Sequence, residues 1–167
     1  MNEELYTKLK AYILIPGKNK EEKFSIQQEP KGKKLIKIIE LNSIDSAGLL
    51  PLPGIGPAYA KRIIKYRSLL GGYYSTEQLK EVYGFTDSLF QIIKNYVKVD
   101  ASLVTKIDLN TEDFKKLNAH PYISYEDTKT IFNYRRKNGI IMKIEQLRIC
   151  VSDEEQLKKL IPYLGFN

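Results

Sequence analysis

Leu52-Pro53-Gly54-Ile55-Gly56 is the stretch that decides the fold of this chain, because it predicts a tight turn directly before a helix. Glycine tolerates positive φ angles and has no Cβ atom, so the backbone can turn sharply and approach a ligand closely. Ile55 can point inward and anchor the turn. Gly56 and the residues after it then present unpaired N–H groups at a helix start, where the helix dipole also favours an anion. The stretch therefore predicts an anion-binding corner, with a purely structural corner as the alternative.

The residues after the turn favour a phosphate group as that anion. Ala60 allows close packing of the following helix, and no acidic residue occurs between Asp45 and Glu77. Four basic residues lie on the helix: Lys61, Arg62, Lys65 and Arg67.

These four basic residues are expected to differ in role. Lys61 and Arg62 fall in the first turns of the helix and can reach a bound phosphate. Lys65 is equally well explained as part of a solvated face. Arg67 lies near the helix end, where a cation complements the dipole, and Arg135 repeats it, so a structural role is expected.

The chain repeats itself, because residues 39–99 lie over residues 107–167 without a gap. Ile39-Glu40-Leu41-Asn42, for example, matches Ile107-Asp108-Leu109-Asn110. The matched positions are mostly apolar, turn or cap residues, which are the residues that a shared scaffold needs. Internal similarity of this kind predicts two copies of one fold.

Each repeat is predicted to be helical throughout. In the first repeat, Asn42 or Ser43 caps a short helix that runs to about Leu50. A longer helix runs from about Pro57 to Leu70, because proline suits the first helical position.

The rest of the first repeat is predicted to contain a second hairpin between two further helices. Gly71 and Gly72 end the long helix, and Ser75 or Thr76 caps a third helix that runs through Val82. The segment 83–86 then forms a second, poorer hairpin. The fourth helix runs to about residue 97 and buries one apolar face: Leu89, Ile92, Ile93 and Tyr96.

Several motifs of the first repeat together resemble a known family: Leu41-Asn42, Leu52-Pro53-Gly54-Ile55-Gly56, Ala60, Ile63-Ile64, Tyr66-Arg67, Gly71-Gly72-Tyr73-Tyr74 and Glu77-Gln78-Leu79. They resemble the ComEA-type helix-hairpin-helix domain of bacterial DNA-uptake proteins. The resemblance reaches the second repeat through the duplication and leaves residues 1–38 outside. It implies an all-α fold of tandem helix-hairpin-helix domains, which are SAM-like bundles of short helices, with a short irregular N-terminal arm. It also implies binding of double-stranded DNA without sequence preference, in a role such as competence.

The expected DNA-binding residues lie on the first hairpin and on the helix after it: Pro53, Gly54, Ile55, Gly56, Ala58, Lys61, Arg62 and Lys65. Gly84 and Thr86 are expected to form a secondary site on the second hairpin. No cofactor, metal ion, small-molecule substrate or membrane contact is expected. The competing hypothesis is a protein-interaction scaffold in an envelope or secretion assembly, whose hairpins are packing devices.

The second repeat has lost the glycine signature. Pro121-Tyr122-Ile123-Ser124 stands in place of the first hairpin, and Glu126 and Asp127 occupy the first turn of the next helix. Acidic side chains there satisfy the helix dipole and repel phosphate. The second repeat is therefore expected mainly to pack, to extend the surface or to bind a protein partner.

Net charge favours a polyanionic partner but is not decisive. The chain carries 27 basic and 20 acidic side chains, for a net charge of +7, whereas residues 39–100 carry only 7 basic and 6 acidic side chains. The argument for DNA therefore depends on local charge around the first hairpin rather than on the charge of the whole domain.

We do not expect this chain to be an enzyme. DNA glycosylases use a similar hairpin and a catalytic Asp about twenty residues beyond it, but here that region holds Glu77, which recurs as Glu145 and suits a helix start. His120 is expected to be structural, because no second His or Cys pair accompanies it. Cys150 is the only cysteine, which excludes an internal disulfide, and it is expected to be buried and inert.

Three segments are predicted: residues 1–35 as an N-terminal helix or arm with a charged linker, 36–100 as the first domain and 101–167 as the second. Leu5, Leu9 and Ile13 have helical spacing, and residues 17–34 are rich in charged residues, Gly and Pro. The sequence contains no apolar run of about 18 residues and no basic-then-apolar leader. The sequence is compatible with a cytoplasmic location. It is equally compatible with a periplasmic or membrane-anchored location if an anchor lies outside this sequence.

Overall fold

The computed structural model describes residues 37–165. The predicted arm and linker at residues 1–35 lie outside the described residues. Within residues 37–165, no helix has the length and apolar character needed to cross a membrane.

The first half of the described chain, residues 39–98, begins and ends with a short strand. Its elements follow in this order: strand β1 (Ile39–Glu40), helices α1 (Ser46–Leu49) and α2 (Pro57–Leu70), a 3-10 helix (Thr76–Glu81), helix α3 (Asp87–Ile93), a 3-10 turn (Lys94–Tyr96) and strand β2 (Val97–Lys98). β1 pairs with β2 in parallel, with Ile39 opposite Val97.

The long helix has the predicted bounds. Gly56 caps α2 and Pro57 takes its first position, while Gly71 ends it with a φ angle of 80°. Ala60 and Ile63 are buried in the core, so the close packing predicted at Ala60 is confirmed.

The predicted cap of the first helix is wrong. Asp45, not Asn42 or Ser43, caps α1 and accepts a hydrogen bond from the Gly48 N–H at 2.7 Å. The Glu40 carboxylate instead accepts from the N–H groups of Asn42 and Ser43. This leaves the Asn42 side chain for a long-range contact described below.

The last two helices of the first half also depart from expectation. The segment Thr76–Glu81 is a 3-10 helix, although Ser75 does cap it as predicted. α3 ends at Ile93, and Ile92 is 54 % exposed, so the buried face is formed by Phe90 and Ile93. The predicted apolar face was wrong at Ile92, because the inward face runs through Phe90 and Ile93, three residues apart, and leaves Ile92 on the solvent side.

The second half of the described chain, residues 107–165, shows the same order of elements: strand β3 (Ile107–Asp108), helices α4 (Phe114–Asn118), α5 (Tyr125–Asn138), α6 (Ile144–Cys150) and α7 (Glu154–Leu160), a 3-10 turn (Ile161–Tyr163) and strand β4 (Leu164–Gly165). β3 pairs with β4 in parallel. A short 3-10 helix, Ala101–Leu103, connects the halves.

Two long-range contacts recur at equivalent positions. The Arg67 guanidinium donates to the carbonyls of Leu41 and Ile44, and Arg135 donates to backbone carbonyls at the same place in the second half. The predicted structural role of Arg67 is thus confirmed.

The second recurring contact is made by an asparagine side chain. The Asn42 amide accepts from the Tyr73 N–H and donates to the Tyr73 carbonyl, as the Asn110 amide does with Ile141. Each amide holds the segment after the long helix against the start of its half.

The fold is mostly helical, with two short parallel strand pairs that close the two halves. The prediction of an all-α fold therefore holds for the helices and misses these strands. Two residues give no alternating pattern, so a strand of that length leaves no signal in the sequence.

Candidate nucleic-acid interface

The first hairpin, residues 51–56, is a tight turn whose apolar side chains are buried in the core. The Ile55 N–H donates to the Leu52 carbonyl at 3.1 Å, and Gly54 between them has a φ angle of 77°. Leu52 and Ile55 are only 2 % and 5 % exposed. The inward anchoring role predicted for Ile55 is confirmed, and the backbone around it is turned outward.

Several backbone N–H groups of this hairpin have no acceptor among residues 37–165. Those of Gly54, Gly56 and Ala58 make no hydrogen bond there, and both Gly54 and Ala58 are exposed. The first turn of α2 also contains no acidic residue. Unpaired N–H groups at a helix start with no competing carboxylate favour an anion.

Gly56 is a glycine that the described fold does not require. Its φ angle is −95°, which any residue can adopt, and a Cβ atom built there would meet no atom within 4 Å. Gly54, in contrast, needs its positive φ angle. Open space above Gly56 lets a ligand approach the backbone closely.

The predicted basic residues take two different positions. Lys61 and Lys65 are exposed on α2. Arg62 instead donates from Nη1 to the Tyr83 carbonyl at 3.1 Å, and its guanidinium lies over the rings of Tyr59 and Tyr83. Arg62 therefore joins α2 to the second hairpin, a contact that the sequence did not reveal.

The second hairpin, residues 83–86, has the same turn as the first. Gly84 has a φ angle of 76°, the Phe85 N–H donates to the Val82 carbonyl at 2.9 Å, and Thr86 caps α3. One acidic residue, Asp87, follows in the first turn of α3.

The two hairpins of the first half lie side by side. The Tyr59 hydroxyl donates to the Gly84 carbonyl at 2.9 Å, and Tyr59 packs edge-on against Phe85. The Asp87 carboxylate lies 3.6 Å from the Lys80 ammonium, which offsets part of its charge. Gly54 and Gly84, predicted separately, thus belong to one surface, and Asp87 places a carboxylate beside the second hairpin.

The third hairpin, residues 121–124, differs in geometry and in capping. Tyr122 replaces the glycine and has no positive φ angle. Ser124 and Asp127 form a capping box, in which the Asp127 carboxylate accepts from the Ser124 N–H at 3.2 Å. Side chains of the protein thus already satisfy donors that the first hairpin leaves open.

Asp127 also links the third hairpin to the next turn. Its carboxylate accepts from the Ser152 N–H at 3.4 Å, and Asp153 caps α7 through the N–H groups of Glu155 and Gln156. At both turns of the second half, carboxylates of the protein therefore accept from backbone N–H groups.

Tyr122 joins the two halves through a polar cluster that the sequence did not predict. Gln78 Nε2 donates to the hydroxyls of Tyr122 and Tyr163 at 2.8 and 2.7 Å. Glu81 accepts from the hydroxyl of Tyr122 and from the ammonium of Lys159. The sequence could have indicated this cluster, because Tyr122 stands where the first hairpin has a glycine. A buried tyrosine hydroxyl needs a hydrogen-bond partner.

The charge of Glu81 is favoured by this cluster. Burial alone would raise the pKa of the carboxyl, but hydrogen bonds from Tyr122, Lys159 and Tyr66 outweigh it and lower the pKa. Burial and the neighbouring Glu81 raise the pKa of the Tyr122 hydroxyl. Glu81 therefore stays ionised and Tyr122 stays protonated around neutral pH.

His120 and Cys150 have the structural positions expected for them. His120 is 3 % exposed and packs against the rings of Tyr122 and Tyr163. Its Nδ1 accepts from the Tyr122 N–H at 3.3 Å, whereas Nε2 has no hydrogen-bond partner in residues 37–165. Cys150 is buried, and burial raises the pKa of its thiol.

The tyrosines after the long helix separate into a buried and an exposed one. Tyr73 is fully buried and its hydroxyl donates to the Ile63 carbonyl. Tyr74 is 48 % exposed at the contact between the halves. Within the described part of the chain, no group of His, Cys, Asp and Glu is arranged to hold a metal ion.

Residues 35–98 match the sequence model of a family described as a helix-hairpin-helix motif. Curated proteins and solved structures gave no match to the chain. The matched segment contains both hairpins of the first half, and the second half lies outside it. Helix-hairpin-helix motifs are generally associated with DNA binding that does not depend on sequence. The first half of this chain therefore carries a helix-hairpin-helix motif, and nucleic-acid binding is the activity that this motif suggests.

Proposed function

We propose that the first half of the chain binds the backbone of double-stranded DNA without reading its sequence. The N–H groups of Gly54, Gly56 and Ala58 hold a phosphate, and Lys61 and Lys65 add charge beside it. The single observation that carries the proposal is the open backbone at Gly56, where the described fold needs no glycine. Phosphates are identical along a duplex, so contacts of this kind carry no sequence information.

The remaining residues have supporting roles in this proposal. Pro53 and Ile55 hold the turn, and Arg62 fixes the second hairpin beside the first. Gly84 and Thr86 form a weaker second contact, because Asp87 reduces the attraction for phosphate there.

The second half is proposed to be a diverged copy of the first that no longer binds phosphate. The shared order of elements and the recurring contacts of Arg67 and Arg135 support a duplication. Asp127 lies at the position equivalent to Tyr59 and caps the turn from within. This half packs against the first and leaves its outer surface for a protein partner.

The biological role follows the resemblance to ComEA-type domains. We propose a non-enzymatic part in bacterial DNA uptake, in which the protein holds DNA without modifying it. Binding that depends on the backbone alone suits a process that must accept DNA of any sequence.

The test is the affinity of the full chain for a fluorescent random-sequence duplex at several salt concentrations, measured by anisotropy. Two or three neutralised phosphates predict a slope of log K against log salt of roughly −2 to −3. A second duplex of unrelated sequence should bind equally well. A flat salt response would contradict the proposal and favour a protein-interaction scaffold.

Two variants locate the site. Gly56→Val keeps a backbone angle suited to a β-branched residue and should reduce affinity on the order of tenfold, because its side chain occupies the space above the amides. Lys61→Gln should make the salt slope shallower by about one. Lys129→Gln is the matched control, since Lys129 occupies the equivalent position in the second half and should leave binding unchanged.

A further inference from the structure

The tip of the second hairpin bears an aromatic ring that the proposed phosphate contacts do not use. Tyr83 is 83 % exposed, although its neighbours Val82 and Phe85 are buried. The hydroxyl of Tyr83 makes no hydrogen bond with any residue in the described range 37–165. The core of the first half therefore does not bury this ring.

Tyr83 is nevertheless held in place by a charged neighbour. The Arg62 guanidinium lies 5.1 Å from the centre of the Tyr83 ring, and its Nη1 donates to the Tyr83 carbonyl. The guanidinium also lies over Tyr59, which is bonded to Gly84. The ring thus stands at the junction of the two hairpins, with one side supported and the rest open to solvent.

We propose that Tyr83 packs on the deoxyribose sugars of a DNA duplex at the point between the two hairpins. This inference rests on the proposed function. A phosphate at each hairpin brings the intervening nucleotides over this junction, and an aromatic ring packs on the apolar face of a sugar. The supported ring loses little conformational freedom on binding, and Arg62 adds a positive charge beneath it.

The contact has a signature that separates it from phosphate binding. Tyr83 neutralises no phosphate, so Tyr83→Ser should lower affinity without changing the salt slope. Loss of the apolar area that the ring buries against a sugar predicts a reduction of roughly fivefold. A change in salt slope would instead mean that Tyr83 acts by positioning Arg62, which would overturn the direct contact.

The experiment uses the absence of tryptophan from the chain. Tyr83→Trp introduces a single tryptophan at the tip, and Tyr74→Trp introduces one at an exposed tyrosine beside the contact between the halves; excitation at the red edge of the absorption band selects tryptophan over tyrosine. Each full-length variant is titrated with the random-sequence duplex, and its tryptophan emission and the anisotropy of the labelled DNA are followed together. Circular dichroism checks that both variants are folded.

The expected result is a change in the emission of the Tyr83→Trp variant that saturates together with DNA binding, and no change for the Tyr74→Trp variant. Salt-dependent binding without an emission change in Tyr83→Trp, or with equal changes in both variants, would overturn the Tyr83 contact and leave the proposed function standing. Absence of any salt-dependent binding would overturn both.

Discussion

The Tyr59 hydroxyl donates a hydrogen bond to the Gly84 carbonyl 2.9 Å away and so fixes the two hairpins of the first half beside each other. The equivalent pair in the second half, Asp127 and Ser152, keeps this link with a carboxylate that accepts from an N–H group. The same two positions thus join neighbouring turns in both halves, through a tyrosine hydroxyl in the first and a carboxylate in the second.

Tyr59→Phe should lower the free energy of unfolding by about 1 kcal/mol, the usual net contribution of one hydrogen bond. The ring stays packed against Phe85, so only the hydroxyl contact is lost. Urea denaturation followed by circular dichroism measures the change. Tyr125→Phe is the control, because the Tyr125 hydroxyl makes no hydrogen bond with residues 37–165, and an equal loss there would contradict the assignment.

Gln78→Ala should destabilise the protein by about 1–2 kcal/mol more than Gln146→Ala. Both side chains accept from two backbone N–H groups at a helix start, but only Gln78 also donates to Tyr122 and Tyr163 across the contact between the halves. The difference between the two variants therefore measures that contact. Equal losses in chemical denaturation would show that the polar cluster adds nothing to stability.

The stability of the protein should fall as the pH drops from 7 to 5, because His120 is buried. Burial lowers the pKa of His120 to about 4 from its ordinary 6.5. The unfolded chain then takes up a proton first, so stability is complete above pH 6.5 and is lost towards pH 4. Linkage predicts a loss of about 2 kcal/mol at pH 5.

His120→Leu is the test of this pH dependence, since Leu52 occupies the equivalent position in the first half. The variant should show a smaller loss between pH 7 and pH 5 in denaturation experiments. If wild type and variant lost stability in parallel, the acid sensitivity would belong to other groups.

Gly54→Ala should destabilise the first half by roughly 1–3 kcal/mol, because a non-glycine residue at a φ angle of 77° is strained. A Cβ atom there would also lie 2.6 Å from the Leu89 Cδ1 atom. Gly56→Val should leave the melting temperature within a few degrees of wild type. If Gly56→Val were less stable than Gly54→Ala, the proposal that the fold requires glycine at 54 but not at 56 would be wrong.

Structural features that depend on residues close together in the chain could be predicted from the sequence. Pro57 and Gly71 mark the bounds of the long helix, and the hairpin at Gly54 was evident from its two glycines. Asn42 was misassigned as a cap because its side chain is used 31 residues away, at Tyr73. No local pattern distinguishes an asparagine that caps a helix from one that bonds a distant backbone.

Local sequence by itself determined the first hairpin, the bounds of the long helix and the Ser75 cap, since these depend on backbone angles and on neighbours a few residues apart. Only the tertiary structure decided that Arg62 serves the second hairpin and that Tyr122 serves the contact between the halves. Long side chains bond whatever polar group folding brings within reach, and that group lies far away in the chain.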